Sequence, residues 1–228
     1  MLLPLLRPIV HQKDWTRNAT IMATLFDRQK AEKLRKNDLS RKGSVDAPIV
    51  DYLQALNAHP DYVSLSSCSG RIIIFISSDN LKKGCTWILV KHEAVSVDDD
   101  AWSKILEHRG QKGICTLKFE PFILHVQCRH MEAAKKLMTL ASEVGFRNSG
   151  FTTGKAGKVV LAIRSTHGLQ VPLSDEEGQL LVEKPYVDFL IKQANNKLAQ
   201  NAEKIVKLEQ SCAVLFKHFV LEQECSEK

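Results

Sequence analysis

Three short stretches of this sequence combine small, hydroxylated and charged residues beside apolar runs: Ser66–Arg71, Glu120–His125 and Arg164–Leu169. Glycine lets a ligand approach the backbone closely, and hydroxyl groups both donate and accept hydrogen bonds. Arginine adds a planar fork that suits phosphate or carboxylate. Because binding groups often follow the ends of strands, these three clusters predict an enzyme site for a nucleic-acid-like anion.

The middle cluster contains an acid and a histidine on opposite faces of a predicted strand. Side chains alternate along a strand, so Glu120 lies on one face and His125, with Ile123, on the other. Glu120 could accept hydrogen bonds from the two hydroxyls of a ribose. His125 is either a catalytic base or a satisfied core residue. Pro121 cannot donate to a ladder and predicts an edge or a bulge.

Cys68, next to Arg71, raises a second kind of chemistry. A thiolate nucleophile would need a base, and none stands beside it in sequence, so a small buried cysteine is the alternative. The six cysteines are scattered without a CxxC pair, which indicates reduced thiols, and we expect no metal centre. The sequence also lacks a P-loop, a G-x-G-x-x-G fingerprint and an H-E-x-x-H motif, which argues against the usual nucleotide and zinc sites.

The charge of the chain favours a polyanionic partner. A formal net charge of +6 and a pI near 9.0 raise the rate of encounter with RNA. Basic and polar loop residues suited to phosphate contact are Ser40, Arg41, Lys42, Arg147, Asn148 and Arg164.

The elements that position these residues follow from hydrophobic periodicity. The pattern predicts strands over Arg71–Ile76, Cys85–Val90, Thr116–Val126, Lys158–Arg164 and Leu180–Val182. It predicts helices over Ala23–Asn37, after Ser44, over Ala101–Glu107 and Arg129–Val144, and a long C-terminal helix from Pro185. Helices and strands that do not alternate regularly predict an α+β fold in which a mixed β-sheet is flanked by helices.

A chain of 228 residues can bury one sizeable core, so we expect a single catalytic domain over residues 22–212. Residues 1–21 are interpreted as a flexible extension and residues 213–228 as a C-terminal tail. No window approaches the roughly 18 apolar residues of a membrane span, and the opening segment does not resemble a secretory signal.

Several motifs occur in an order that resembles the tRNA wybutosine-synthesising protein 3 family, over about Ala23 to Cys212. They are Leu39–Ser44, Ser67–Arg71, Trp87 with His92, Leu117–His125, Gly145–Gly150 and Ser165–Leu169. The resemblance implies a cytoplasmic methyltransferase with a non-Rossmann fold that uses S-adenosyl-L-methionine. Its substrate would be phenylalanine tRNA, methylated at N(4) of 7-aminocarboxypropyl-demethylwyosine next to the anticodon.

On that hypothesis the clusters acquire roles. The attacked ring nitrogen loses a proton, so a neutral imidazole is a suitable base, and the candidates in order are His125, His167 and His92. The predicted cofactor-binding residues are Ser67, Ser69, Gly70, Arg71 and Glu120, and the basic loop residues named above would bind the tRNA.

Two other function classes remain open from the sequence. The same loops could only grip tRNA, as a non-catalytic binding module, or Cys68 could serve a small-molecule enzyme. The sequence does not determine the oligomeric state.

Overall fold

The computed structural model describes residues 25–35, 44–77 and 84–226, except for the side chains at position 156 and from 217 onward. Within this part of the chain the helices are α1 (residues 25–35), α2 (Val50–Ala58), α3 (Ala101–Glu107), α4 (Met131–Glu143) and α5 (Lys184–Ser226). The strands are β1 (Tyr62–Cys68), β2 (Arg71–Ser77), β3 (Cys85–Lys91), β4 (Ile114–Glu120), β5 (Ile123–Cys128), β6 (Gly150–Thr153), β7 (Val159–Arg164) and β8 (Leu169–Pro172).

The strands form two sheets of four. The first sheet has the order β1-β5-β7-β6 and the second β3-β2-β4-β8, and every pair of neighbours in both is antiparallel. The predicted α+β class, the flanking helices and the non-Rossmann architecture are confirmed. The single mixed sheet is corrected to two antiparallel sheets, because the chain changes sheet after β1, β4 and β7 and returns to each sheet running in the opposite direction to its neighbours.

Three segments of the chain pass directly from one sheet to the other, and we call them the junctions. They connect β1 to β2 at Ser69 and Gly70, β4 to β5 at Pro121 and Phe122, and β7 to β8 over residues 165–168. The predicted strand Thr116–Val126 is therefore two strands, interrupted at Pro121, which has no N–H for a ladder. The serine-rich run that looked like a loop before a strand is mostly β1 itself.

Each sheet covers its own hydrophobic core, and α5 packs against both. Val187, Leu190 and Ala194 belong to the core of the second sheet. Ile205 and Leu208 belong to the core of the first sheet. The predicted long C-terminal helix is confirmed, and because it packs against both cores it fixes the two sheets relative to each other.

Asn201 lies on α5 between these two groups, and its side chain is buried. Its Oδ1 accepts a hydrogen bond from the N–H of Phe122 at 2.8 Å, and its Nδ2 donates to the carbonyl of Ser69 at 2.7 Å. One side chain thus ties two junctions to the helix, which explains how the polar backbone of both turns is satisfied in the interior.

Other predictions have mixed outcomes. Leu180–Val182 is not a strand, since it contributes an isolated bridge from Leu180 to Ser174, whereas β6 and β8 were not predicted. The segment interpreted as a tail continues α5 as far as Ser226. The interpreted extension over residues 1–21 lies outside the described residues. None of the helices in the described part of the chain is long and apolar enough to cross a membrane.

Candidate active site

Residues in and beside the three junctions line one cleft of about 810 Å³ between the sheets. Arg71 follows the first junction, Glu120 precedes the second and Arg164 precedes the third, so each predicted cluster supplies at least one wall residue. A volume of this size lies within the roughly 300–1,000 Å³ that small-molecule sites occupy. Crossing from sheet to sheet therefore brings together three stretches that are distant in sequence.

A charged pair crosses the cleft wall where β2 and β4 are neighbours. Arg71 and Glu120 are opposite each other in the ladder, and Arg71 Nε donates to Glu120 Oε2 at 2.8 Å. Lys118 Nζ lies 2.8 Å from the other oxygen of Glu120. Burial alone would raise the pKa of Glu120, but the hydrogen bonds from Lys118 and Arg71 outweigh it and lower this pKa from its ordinary value. Glu120 is thus held ionised, with both of its oxygens engaged by cations.

Arg71 is also fixed from its other side. Its guanidinium carbon lies 5.6 Å from the ring centroid of Trp87 on β3, within the range of a cation–π contact. With Glu120 on one side and an aromatic face on the other, Arg71 is oriented before any ligand binds. Preorganisation of this kind lowers the entropic cost of holding an anion.

A second polar group adjoins the cleft through Cys68. Asp46, Cys68 and His92 bring one carboxylate, thiol and imidazole atom within 4.8 Å of one another. His92 Nδ1 lies 3.3 Å from Asp46 Oδ2, close enough for an ion pair although the two atoms are not aligned as a hydrogen bond. Asp46 Oδ2 also accepts the N–H of Ser69 at 2.8 Å, which anchors the carboxylate to the first junction. A buried carboxylate beside an imidazole is an arrangement that orients a base.

The structure argues against Cys68 as a nucleophile. Burial is the largest cause and raises the pKa of its thiol; the Gly70 backbone and Arg71 lower this pKa and the carboxylates of Asp46 and Glu120 raise it, and the net pKa is raised. A thiol with a raised pKa stays largely protonated at neutral pH, and a protonated thiol is a poor nucleophile.

None of the three predicted bases, His92 included, is among the residues that line the cleft. His125 is on β5 two residues from Ile123, which does line the cleft, and its Nδ1 lies 3.0 Å from Ser66 Oγ. Burial lowers the pKa of His125, and the charge of Arg164 lowers it further. His167 lies in the third junction, between two lining residues, and Lys204 Nζ is 2.9 Å from its Nδ1. Burial first, then Lys204 and Lys197, lower the pKa of His167.

Among the predicted cofactor-binding residues, only Arg71 and Glu120 line the cleft. Ser69 is buried, its N–H donates a hydrogen bond to Asp46, and its carbonyl accepts one from Asn201. Gly70 has φ +111°, and a Cβ there would lie 2.9 Å from Asn201 Nδ2, so this glycine allows the first junction to approach the helix. Ser67 is half-buried on β1, outside the lining set.

The predicted RNA-binding residues divide in the same way. Asn148 and Arg164 line the cleft, and Arg147 is exposed next to Asn148. Ser149 connects their two segments, because its Oγ accepts the N–H of Arg164 at 3.1 Å. Ser40, Arg41 and Lys42 lie outside the described residues.

Sequence reasoning missed the roles of Asp46, Lys118 and Asn201. Asp46 falls in the helix predicted after Ser44 and Asn201 in the predicted C-terminal helix, and neither was given a functional role. Lys118 belongs to the motif Leu117–His125 but received no role. The sequence signal for these roles was the position of Asn201 in an otherwise apolar stripe of the helix. The contacts themselves could not be read from the sequence, because they join residues up to 132 positions apart.

Comparison with solved structures defines the class of fold. The chain is similar to the PH1069 protein from Pyrococcus horikoshii, with a TM-score of 0.73 and 31% identity over 83% of this chain and 96% of that one. It is also similar to a protein from Aeropyrum pernix, with a TM-score of 0.61 and 25% identity over 75% of this chain and 98% of that one. The fold of this chain is thus shared with both of these proteins.

Sequence comparison gives the family. Residues 18–213 match the family described as Methyltransferase TYW3, and the chain belongs to this methyltransferase family. A relative from Bos taurus, named tRNA wybutosine-synthesizing protein 3 homolog, is 48% identical over 79% of this chain and 69% of its own length. The tRNA wybutosine-synthesizing protein 3 of Schizosaccharomyces pombe is 33% identical over 81% and 85%, respectively.

Proposed function

We propose that this chain methylates a wybutosine precursor in tRNA. The product would be the N(4)-methylated form of 7-aminocarboxypropyl-demethylwyosine in phenylalanine tRNA, made in the cytoplasm with S-adenosyl-L-methionine as methyl donor. The observation that carries the proposal is the cleft built from the three junctions in a chain of a methyltransferase family. The names of its relatives refer to wybutosine synthesis, which supports this choice of substrate.

The cleft residues fit such a donor. Glu120 is a carboxylate that can accept from ribose hydroxyls, and Arg71 offers a fixed guanidinium to a carboxylate. When bound, S-adenosyl-L-methionine supplies an electrophilic methyl group on a sulfonium. The chain's own contribution is mainly position, because holding two reactants at near-attack geometry is worth roughly 7–11 kcal/mol.

The reaction forms a nitrogen–carbon bond, breaks the sulfur–carbon bond and releases one proton from the ring nitrogen. We propose that an imidazole accepts this proton. We place His92 first because Asp46 Oδ2 lies 3.3 Å from its Nδ1, so that a small rotation of the ring would form the hydrogen bond that leaves Nε2 as the acceptor. His125 and His167 remain candidates, since each has a lowered pKa that favours the neutral imidazole at pH 7.

The polar residues at the rim would bind the tRNA. Arg164 and Asn148 line the cleft, and Arg147 adjoins them, so they are suited to hold phosphates around an entering base. We propose the same role for Ser40, Arg41 and Lys42. Ser67, Ser69 and Gly70 would act on the cofactor indirectly, by fixing the first junction behind the cleft wall.

Methyl transfer from labelled S-adenosyl-L-methionine tests the proposal. The acceptor is phenylalanine tRNA from cells that lack only this methylation, and fully modified tRNA is the control. We expect label in the first and none in the second. Binding of tRNA without any labelling would instead support a non-catalytic module. Abolition of activity in Cys68→Ala would support the thiolate enzyme, whereas Cys68→Ser should keep the cofactor bound and the transfer measurable.

The base is tested by His92→Asn, with His125→Asn and His167→Asn alongside. Loss of a general base lowers kcat about 10²–10⁴-fold. We expect that loss in His92→Asn, with an unchanged Kd for the cofactor, and a smaller loss in the other two. A full loss in His125→Asn or His167→Asn with activity retained in His92→Asn would move the role to that histidine.

A further inference from the structure

The side of the cleft formed by the third junction is in contact with α5 through His167. Lys197 Nζ lies 3.5 Å from the carbonyl of His167, and Lys204 Nζ lies 2.9 Å from its imidazole Nδ1. Thr166 and Gly168, on either side of His167, line the cleft. The two lysines therefore stand at the rim of the cleft and not on a distant face of the helix.

Their position on the helix follows from Asn201. Residues 197, 201 and 204 are four and three apart, so their side chains share one face of α5. Asn201 is buried between two junctions, which directs that face toward the cleft. Lys204 also reaches the loop after α4, since a Cβ on Gly145 would lie 3.8 Å from its Nζ. That loop continues to Arg147 and Asn148.

Within the described part of the chain, the cations near this rim are not ion-paired. Among the residues that the structure describes, neither Lys197, Lys204 and Lys207 nor Arg164 forms an ion pair, although Arg71 and Lys118 inside the cleft share Glu120. Lys204 contacts an imidazole instead of a carboxylate. Burial lowers the pKa of Lys204, and the like charge of Lys207 lowers it further. An anion bound here would relieve this repulsion.

From this arrangement we propose that Lys197, Lys204 and His167 form a phosphate site for the RNA strand whose base enters the cleft. The site rests on the proposed function, and it adds a helical wall to the loop residues already assigned to tRNA. The α5 wall and the loop with Arg147 would then contact the backbone on two sides of the extruded nucleotide. Phosphate contacts of this kind set position and carry no sequence preference themselves.

The test is the salt dependence of binding to phenylalanine tRNA, measured by fluorescence anisotropy. In the double variant Lys197→Gln/Lys204→Gln the slope of log affinity against log salt should fall by about 0.7–0.9 for each phosphate that the protein no longer binds. At 0.1 M salt that is about a 5–8-fold weaker affinity per phosphate. Lys197→Arg/Lys204→Arg should restore the slope, because the charge is retained.

The matched control lies on the same helix. Lys184 and Lys192 line a different groove, with Val97 and Trp102, so Lys184→Gln/Lys192→Gln removes the same charge away from the cleft. We expect the slope of this control to equal that of the unchanged protein. Equal slopes for all three proteins, or an equal fall in both double variants, would overturn the site.

The outcome is separable from the proposed reaction. The Kd for S-adenosyl-L-methionine, measured without tRNA, should be unchanged in Lys197→Gln/Lys204→Gln, since neither lysine is among the lining residues. A protein that transfers no methyl group but shows the selective fall in slope would refute the reaction and keep the phosphate site. Normal methyl transfer with an unchanged slope would refute the phosphate site alone.

Discussion

At the scale of single residues, Glu120 decides the electrostatics of the cleft. It receives Arg71 on one oxygen and Lys118 on the other, and the side chains of the first pair are 33% and 30% exposed. Ion pairs with such exposure contribute about 0–1 kcal/mol to folding, because water screens them. The main effect of Glu120 is therefore to orient Arg71 toward a ligand, and its ion pairs contribute little to the stability of the fold.

Replacement of Glu120 should separate binding from stability. We expect Glu120→Ala to raise the Kd for S-adenosyl-L-methionine about ten-fold, which corresponds to about 1.4 kcal/mol. The free energy of unfolding should fall by no more than about 1 kcal/mol. Isothermal titration and urea denaturation measure the two effects. Glu132→Ala is the control, since Glu132 pairs with Lys135 at 3.0 Å on α4 and should leave the Kd unaltered.

The lowered pKa of His125 gives a second prediction. Burial is the main cause, and the charge of Arg164 adds to it, because a nearby cation disfavours the imidazolium. His125 is therefore neutral at pH 7 and gains its proton only as the pH falls through the lowered pKa. We expect Arg164→Gln to raise the pKa of His125, as measured by NMR titration of its ring protons. Arg147→Gln should leave it in place, and an unmoved titration in Arg164→Gln would exclude the coupling.

The group of Asp46, Cys68 and His92 could be mistaken for a metal site. Asp46 Oδ2 already accepts a backbone hydrogen bond from Ser69, which gives this carboxylate a structural use without an ion. We expect methyl transfer to be unaffected by dialysis against EDTA and by later addition of zinc, as measured by the rate of labelling. Activity that disappears with EDTA and returns with zinc would contradict the expectation of a metal-free enzyme.

At the scale of elements, the cleft depends on how the junctions are held by α5. Asn201 satisfies an N–H of one junction and a C=O of another, with both bonds buried. Asn195, further toward the start of the helix, makes a similar pair of bonds of 2.9 Å to the N–H and C=O of Val95. Both asparagines thus bond a backbone N–H and a backbone C=O to α5, but only Asn201 does so next to the cleft.

This pair offers a matched comparison. Asn201→Ala leaves a buried donor and a buried acceptor unsatisfied, and each costs about 1–3 kcal/mol. We expect its free energy of unfolding to fall by about 2–6 kcal/mol and its Kd for the cofactor to rise, because two cleft walls loosen. Asn195→Ala should lose stability by a smaller amount, since its bonds are only partly buried, and should keep the cofactor Kd. Urea denaturation and titration calorimetry test both variants, and equal effects on cofactor binding would refute the role of Asn201.

At the scale of the whole molecule, one helix spans two cores. Val187 and Leu190 pack in the core of the second sheet, and Ile205 and Leu208 in the core of the first. The three junctions also continue β1 into β2, β4 into β5 and β7 into β8, each in the other sheet. The two sheets cannot move apart without breaking the hydrogen bonds to the backbone of the junctions and exposing the apolar residues on one half of α5. We therefore expect the two cores to unfold together.

Hydrogen exchange measures this cooperativity. We expect the slowest amides of β2, in the second sheet, and of β5, in the first, to exchange with the same free energy, equal to that of global unfolding. Two separate plateaus would show that the sheets open independently. Asn201→Ala should lower both plateaus together if the junction bonds couple the cores.

Much of the secondary structure could be predicted from the sequence, because periodicity is a local property. The boundaries of α3 and β2 fall within a residue of expectation, and the hydrophobic stripe of α5 correctly indicated a long helix. The split at Pro121 was only partly foreseen. A missing N–H predicts an interruption of a strand, but it does not say that the chain continues in another sheet.

The sequence by itself determined the chemistry available to this protein: three polar clusters, a basic surplus and a set of motifs that place it in a methyltransferase family. Only the tertiary structure decided that the clusters are junctions between two sheets and meet around one cleft. It also joined Asp46 to His92, and Lys204 to His167. The physical reason is that residue types and spacing fix local conformation, whereas these contacts depend on strand register and on the packing of α5 across both cores.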